Sequence, residues 1–306
     1  MSNVTITHWD TSTNKDVFKT LVDEWFNNTD REPLVEWKRL CKDLKTSDEY
    51  ERRGRWAGLD YAGAVSEGQE IPIQKPVFDT TKDYTQVSYG TGFRITHRMK
   101  KFNKIGLAEE LTKQLKMIME ESKDVEIAKM FNNPTATTYA AGYDTLALAS
   151  ASHTCLDATP TTYDNLLSAA LSTSALESVR NYFNYMYDDM GNIITAVPDT
   201  LVVNYSLITT AEELLESTNK AREFSNTKNV FKGYLEPFLY HRYTSTTAWS
   251  ALAKNHPDYD LFVYTSQAPD IVAKDSPDRT RDTECSSLQY FEYGFGDPRM
   301  FYQGNT

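Results

Sequence analysis

The chain has 306 residues, 40% of them hydrophobic and 25% charged, enough for one elaborate domain or two interwoven ones, and disorder as the main state is excluded. Its 32 basic and 43 acidic side chains leave a formal charge of −11, which argues against a protein that grips nucleic acid by neutralising phosphates, although a local basic patch fits that balance. No apolar run approaches the roughly 18 residues of a membrane span, and Met1 to Lys15 lacks the basic start and apolar middle of a secretory signal, so synthesis in a cytoplasm without a membrane partner is expected.

Residues 2–50 carry Trp9, Trp25 and Trp37 among dense charges. Leu34, Trp37 and Cys41 share one helical face, so a short amphipathic helix is expected there, with the rest of this arm loose. Nothing nearby in sequence covers the tryptophans, which must pack on a distant part of the chain or on another molecule. From Gly54 to Gly92, Gly54, Gly58, Gly63, Gly68, Pro72 and Pro76 break any helix, while Ile71, Ile73, Val77, Val87 and Tyr89 suggest extended strands. A long β-hairpin is expected. Such a hairpin is marginal by itself in water and needs a surface, either its own domain or another subunit.

Leu107, Leu111, Leu115, Ile118, Val125 and Ala128 recur by threes and fours, which predicts a helix over Ile105 to Phe131, about 40 Å long and ended by Pro134. Of the thirty residues from Asn133 to Thr162, ten are Ser or Thr and only Asp144 and Asp157 are charged, so a weakly structured connection follows. An α/β unit comes next. Ser174 and Glu177 form a capping box for a helix through Tyr187, Asp188 to Asn192 turn the chain, and Ile193–Val197 and Leu201–Val203 read as strands. Thr209 and Glu212 cap a second helix through Leu215, and Tyr234–Leu239, Tyr259–Tyr264 and Leu288–Phe295 complete the strands.

Catalytic chemistry has little to stand on. His8, His97, His153, His241 and His256 lack a His-x-x-x-His partner, and Cys41, Cys155 and Cys285 are odd in number and far apart, reading as reduced thiols rather than a disulfide framework or zinc site. Ser152 beside His153 is no nucleophile and base pair, and Gly90-Thr91-Gly92 lacks the third glycine of a dinucleotide loop, since Ile95 stands there. Asp188-Asp189 before Gly191 lacks the alternating ligands of a calcium loop. No catalytic residue, metal or cofactor is expected. The strongest charge feature is Arg94, Arg98, Lys100, Lys101 and Lys104, either a segment whose charges pair with acids elsewhere or a surface facing phosphate or a neighbouring subunit, which Arg52, Arg53 and Arg55 could join.

The order of these parts resembles the major capsid proteins of tailed bacteriophages, from about Arg53 to Tyr302. Glu67-Gly68-x-x-Ile71-Pro72 is similar to the family's extended loop, and Gly92-Phe93-Arg94-Ile95-Thr96 to the strand entering its spine helix. Phe131-Asn132-Asn133 and Leu148 to His153 resemble the helix end and the loop after it. Leu171-Ser172 through Ala175-Leu176, the Gly191 turn and Pro198 to Val203 resemble the opening of the axial domain, and Trp249 to Leu252 and Gly294 to Arg299 its later parts.

The resemblance implies an α+β fold with an N-terminal arm (1–52), an extended β-hairpin loop (53–92) and a peripheral domain (93–165) holding the spine helix (105–131). An axial domain (166–270) and a return to the peripheral domain (271–306) complete it. It further implies a non-enzymatic shell protein that assembles through hexamers and pentamers into an icosahedral head around double-stranded DNA, held by weak non-specific contact. A portal, a separate scaffolding protein and assembly in the host cytoplasm go with that role. Trp9, Trp25, Trp37, Trp56, Tyr61, Glu67, Gly68, Ile71, Lys75 and Lys82 are then expected at contacts between subunits. A protein-cargo nanocompartment of the same fold and a cytosolic α/β enzyme are the alternatives.

Overall fold

The computed structural model describes residues 14–28, 35–102, 105–156, 161–219, 227–275 and 282–304; Trp9 and Lys104 lie outside them. Where a loose arm was expected, Asn14–Asn27 forms helix α1, because Phe18, Val22 and Phe26 recur every four residues and all three are buried. The helix expected around Leu34 to Cys41 shrinks to one 3-10 turn, Trp37–Arg39. Trp37 is 1% exposed in the subunit's own core and is therefore not left over for a sister copy. Trp25 is half-buried, its ring edge-on to Phe18 with centroids 6.2 Å apart.

Strands β1 (Lys42–Lys45), β2 (Tyr50–Trp56), β3 (Phe78–Thr85) and β4 (Val87–Ile95) follow. The single hairpin expected over 54–92 resolves into two uses of the chain. β2 and β3 pair antiparallel from Tyr50↔Thr85 to Trp56↔Phe78, whereas β4 joins another sheet. Between β2 and β3, glycines and Pro72 and Pro76 leave no regular ladder. Thr96 caps the short helix α2 (His97–Lys101) by accepting from the Met99 amide. Helix α3 (Ile105–Asn132) is the expected spine.

Its buried face, however, is turned relative to the expected stripe. Ala108, Thr112, Leu115, Met119, Lys123, Ile127 and Met130 point inward, while Leu107, Ile118 and Val125 are exposed. The stripe was displaced because the inward face includes the polar Thr112, Lys123 and Asp124. The last is a hub: its carboxylate accepts from the Trp37 amide at 3.0 Å, the Tyr240 hydroxyl at 3.2 Å and Arg242 Nε at 2.9 Å. One buried acid thus ties the N-terminal segment and a distant loop to the spine.

Strands β5 (His153–Thr154), β6 (Thr162–Tyr163) and β7 (Leu166–Leu167) precede helix α4 (Thr173–Asn184). Its cap is Ser172, whose hydroxyl accepts from the Ala175 amide at 3.2 Å, two residues before the expected box; the helix stops at Asn184 and Met186 enters a strand. Strands β8 (Met186–Tyr187) and β9 (Ile193–Ile194) flank a turn whose Gly191 has φ +88°. Strand β10 (Thr200–Val203) and helix α5 (Ile208–Leu215) follow; α5 has no side-chain cap, so Thr209 does not play the expected role. The remaining strands are β11 (Glu236–Leu239), β12 (Trp249–Leu252), β13 (Leu261–Asp275), β14 (Thr283–Phe295) and β15 (Phe301–Gly304).

Two sheets organise these strands. One has the order β1-β13-β14-β4, with β1 parallel to β13 and the other pairs antiparallel; α1 and α3 pack on it. On β14, Cys285, Ser287, Gln289 and Phe291 are buried, and the Gln289 amide donates to the Met119 carbonyl of α3 at 2.8 Å. The other sheet, β11-β10-β12-β15-β7, is buried along the whole of β10, β12 and β15. A continuous core links it to Trp37 and the C-terminal end of α3 through Phe131, Tyr240, Trp249 and Phe301. Sheet membership cuts across the expected boundaries: β1 and β13 share the sheet of β4, and β15 joins the sheet of β10 and β12.

Candidate functional site

The segment between β2 and β3 is the least covered part of the described chain. From Leu59 to Val77 every residue is exposed, and Ile71 and Ile73 are 78% and 91% exposed. Trp56, Leu59 and Tyr61 add large apolar surface, and Glu67, Gly68 and Lys75 sit in the open with them. Its two limbs are tied to each other: the Gln74 side chain accepts from the Asp60 amide at 2.7 Å and donates to the Asp60 carbonyl at 3.2 Å. The Gln69 amide donates to the Ser66 carbonyl and closes a turn whose third residue, Gly68, has φ +82°, which an L side chain rarely adopts. Ten residues out and ten back allow a reach of about 33 Å if extended.

The root of this loop is fastened to the body by arginines on alternating faces of β2. Arg52 pairs with its cross-strand neighbour Asp83 at 2.6 Å. Arg53 and Arg55 face the other way. Arg53 reaches Asp260 at 2.6 Å and lies over the Phe262 ring at 4.3 Å. Arg55 donates to both oxygens of Asp189, at 2.7 and 3.3 Å, and to the Thr154 carbonyl. Asp189 is shared with Arg299 at 2.5 Å, which also grips Asp297 at 2.5 Å. Burial would raise the Asp189 carboxyl, but hydrogen bonds and charge from Arg55 and Arg299 outweigh it and hold it below the usual carboxylate range. Across the hairpin, Tyr84 is buried edge-on to Phe262 at 4.9 Å and donates to the Phe295 carbonyl at 2.6 Å.

These groups border a cleft of about 710 Å³ lined by Arg53, Arg55, Asp189, Asp260, Asp297 and Arg299. These six charged groups bond one another, Arg53 with Asp260 and Arg55 through Asp189 and Arg299 to Asp297, so this wall is a joint between parts of one chain. His153, fully buried, stacks on Tyr163 and bonds Asp144 at 2.7 Å; burial raises that carboxyl, but the histidine more than offsets this and keeps it low. Lys82 also belongs to the body rather than to a free surface, since its ammonium donates to the Ala141 carbonyl and lies over the Tyr84 ring at 4.8 Å. Burial lowers Lys82 and raises nearby Glu292 to about 7, each opposed by the other's charge.

Arg52, Arg53 and Arg55 therefore face carboxylates and do not join the basic segment. Within that segment, Arg94 pairs with Glu284 at 2.5 Å, Lys100 bonds the Thr283 hydroxyl, and Arg98 lies over Phe102 at 5.8 Å; Lys101 closes α2. The His97 amide is held by Asp282 at 2.8 Å. Acids distant in sequence thus answer part of the charge run. Among the described residues, no cluster of His, Cys, Asp and Glu is arranged to hold a metal ion, and no helix is long and apolar enough to cross a membrane. Burial pushes the Cys285 thiol to about 11 and Cys41 higher still, so neither is a thiolate at neutral pH.

A family model described as phage capsid protein matches residues 79–304. No curated protein sequence matches the chain. Among solved structures, the fold is similar to the capsid of cyanophage P-SCSP1u, with 9% identity and a TM-score of 0.57 over 90% of this chain and 89% of that one. It is also similar to the procapsid of bacteriophage JBD30, with 10% identity and a TM-score of 0.54 over 96% of this chain and 75% of that one. The mature capsid of bacteriophage PhiM1 matches with 12% identity and a TM-score of 0.51 over 90% and 88%.

Proposed function

The chain belongs to the phage capsid protein family and is a structural shell protein; from that premise we propose that its exposed loop is the principal contact between copies in an icosahedral head. The observation that carries this reading is the apolar surface of Trp56 and of Leu59 to Val77, with Ile73 91% exposed, which the subunit's own body does not cover. Such a surface marks a site of protein contact, and a shell of identical copies covers it. Obligate contacts of this class bury about 2,000–5,000 Å², with aromatic side chains such as Trp56 and Tyr61 enriched in them. Trp56, Tyr61, Glu67, Gly68, Ile71 and Lys75 belong to that contact, while Trp37 and Lys82 serve the subunit itself.

Hexamers and pentamers form around the unit built on β10, β12 and β15. The head encloses double-stranded DNA by weak contact, which the net charge of −11 favours, since an acidic container does not bind its contents tightly. A portal and a scaffolding protein are the further assembly partners, met in the host cytoplasm. The family match does not favour a protein-cargo nanocompartment or an enzyme. Electron microscopy of the purified protein, and of a variant with residues 60–74 replaced by a short Gly-Ser link, tests the reading. Closed shells from the natural chain and folded, unassembled subunits from the variant are expected. Shells of normal form without the loop would overturn it.

A further inference from the structure

The root of the loop is fastened in two tiers of different chemistry. The inner tier is an apolar pivot: Tyr84 is 3% exposed, packs against Phe262 and hydrogen-bonds the Phe295 carbonyl, with Arg53 held at Asp260 beside it. The outer tier is ionic. Arg55, Asp189 and Arg299, with side chains 10%, 9% and 4% exposed, share one buried carboxylate. Between the tiers stands Gly54, where the β2–β3 register breaks and a Cβ would come within 2.8 Å of the Phe78 ring. Beyond it Ala57 is buried and the Thr80 hydroxyl donates to the Tyr143 carbonyl at 3.5 Å, but residues 59–81 are all exposed, so from Leu59 outward no buried apolar side chain fixes the direction of the loop.

We propose that the Arg55–Asp189–Arg299 cluster is a releasable latch that sets the direction in which the loop leaves the subunit. Closed, it aligns the loop with the body. Open, it lets the loop turn about Gly54 while the Tyr84–Phe262 pivot and the Arg53–Asp260 pair stay in place. The charges permit opening: when Arg55 departs, Asp189 keeps Arg299, and the freed guanidinium passes into the adjoining cleft, where water solvates it. The motion is amplified by length, since a turn of about 10° at the root moves the tip of a 33 Å arm by about 6 Å. The inference rests on the shell reading above, in which copies of one chain meet neighbours at more than one angle.

The test uses the full chain with Arg55→Gln, which leaves the Arg299–Asp189 pair whole, and with Arg55→Lys, which keeps a charge within reach. Amide exchange on unassembled subunits is read at two sites: the Ala57 amide, bonded to the Val77 carbonyl beyond Gly54, and the Gln86 amide, bonded to the Glu49 carbonyl below it. Arg55→Gln is expected to speed exchange at Ala57 at least tenfold, to leave Gln86 within twofold, and to broaden the diameters of assembled particles seen by electron microscopy. Arg55→Lys restores both readings. Unchanged exchange with unchanged diameters, or equal loss of protection at the two amides, overturns the latch. Failure of the natural chain to form particles counts against the shell reading, and the exchange data then decide the latch alone.

Discussion

The C-terminal half of α3 and the loop between β2 and β3 both carry large apolar side chains, yet the first is sealed and the second bare. Along α3, Ile127, Met130 and Phe131 are buried because the polar groups beside them are answered within the chain, above all Asp124 by Trp37, Tyr240 and Arg242. The inward face there is sealed: even Lys123, 4% exposed, donates to the Thr265 hydroxyl and lies over the Trp37 and Phe291 rings. In the loop, proline and glycine interrupt any ladder, so the backbone remains open to water and draws the apolar side chains out with it. A region completes itself when its polar atoms have internal partners; a region without them waits for another molecule.

The sharpest way to break this contrast is to remove the hub. Asp124→Ala leaves Arg242 and the Trp37 amide without their acid and is expected to cost about 3–5 kcal/mol, read from denaturant unfolding of the subunit. A loss below about 1 kcal/mol would mean that the core does not depend on that acid. A middle-sized effect belongs to the joint between the two regions. Burial raises Glu292 from its ordinary 4.5 to about 7, so this group favours folding below its unfolded value and withdraws that contribution as the pH rises through about 7. Between pH 5 and 8 the subunit should lose up to about 3 kcal/mol from this source, and Glu292→Gln should flatten the curve. Parallel curves for the two proteins would show that the carboxyl titrates normally. The smallest effect on stability is expected in the loop, where Ile71→Ser with Ile73→Ser should change unfolding by less than about 0.5 kcal/mol while abolishing shells. A large drop in stability would place those side chains against their own subunit.

The spine was legible because a long 3.6-residue rhythm survives in sequence; its orientation was not, since Thr112, Lys123 and Asp124 occupy the inward face. Helix α1 carried a readable signal in Phe18, Val22 and Phe26, hidden among dense charges. The loop's glycines, Pro72 and Pro76 showed that no helix forms there, but its end at Phe78 depends on pairing with Trp56 of β2, and the separate course of β4 on pairing with β14, nearly two hundred residues away. Arg53 and Arg55 read as part of a basic patch because Asp260 and Asp189 lie 207 and 134 residues further on. Local spacing reports periodicity, and long-range ion pairing leaves no trace in it. Trp37 was misplaced for the same reason, its cover being supplied from beyond residue 120.

The most direct measurement is a cryo-electron microscopy reconstruction of assembled particles resolved to side chains. The account predicts that Ile71 and Ile73 of each copy lie within about 4.5 Å of apolar atoms of a neighbouring copy and lose most of their exposure. A well-ordered shell in which both isoleucines still face solvent would contradict it.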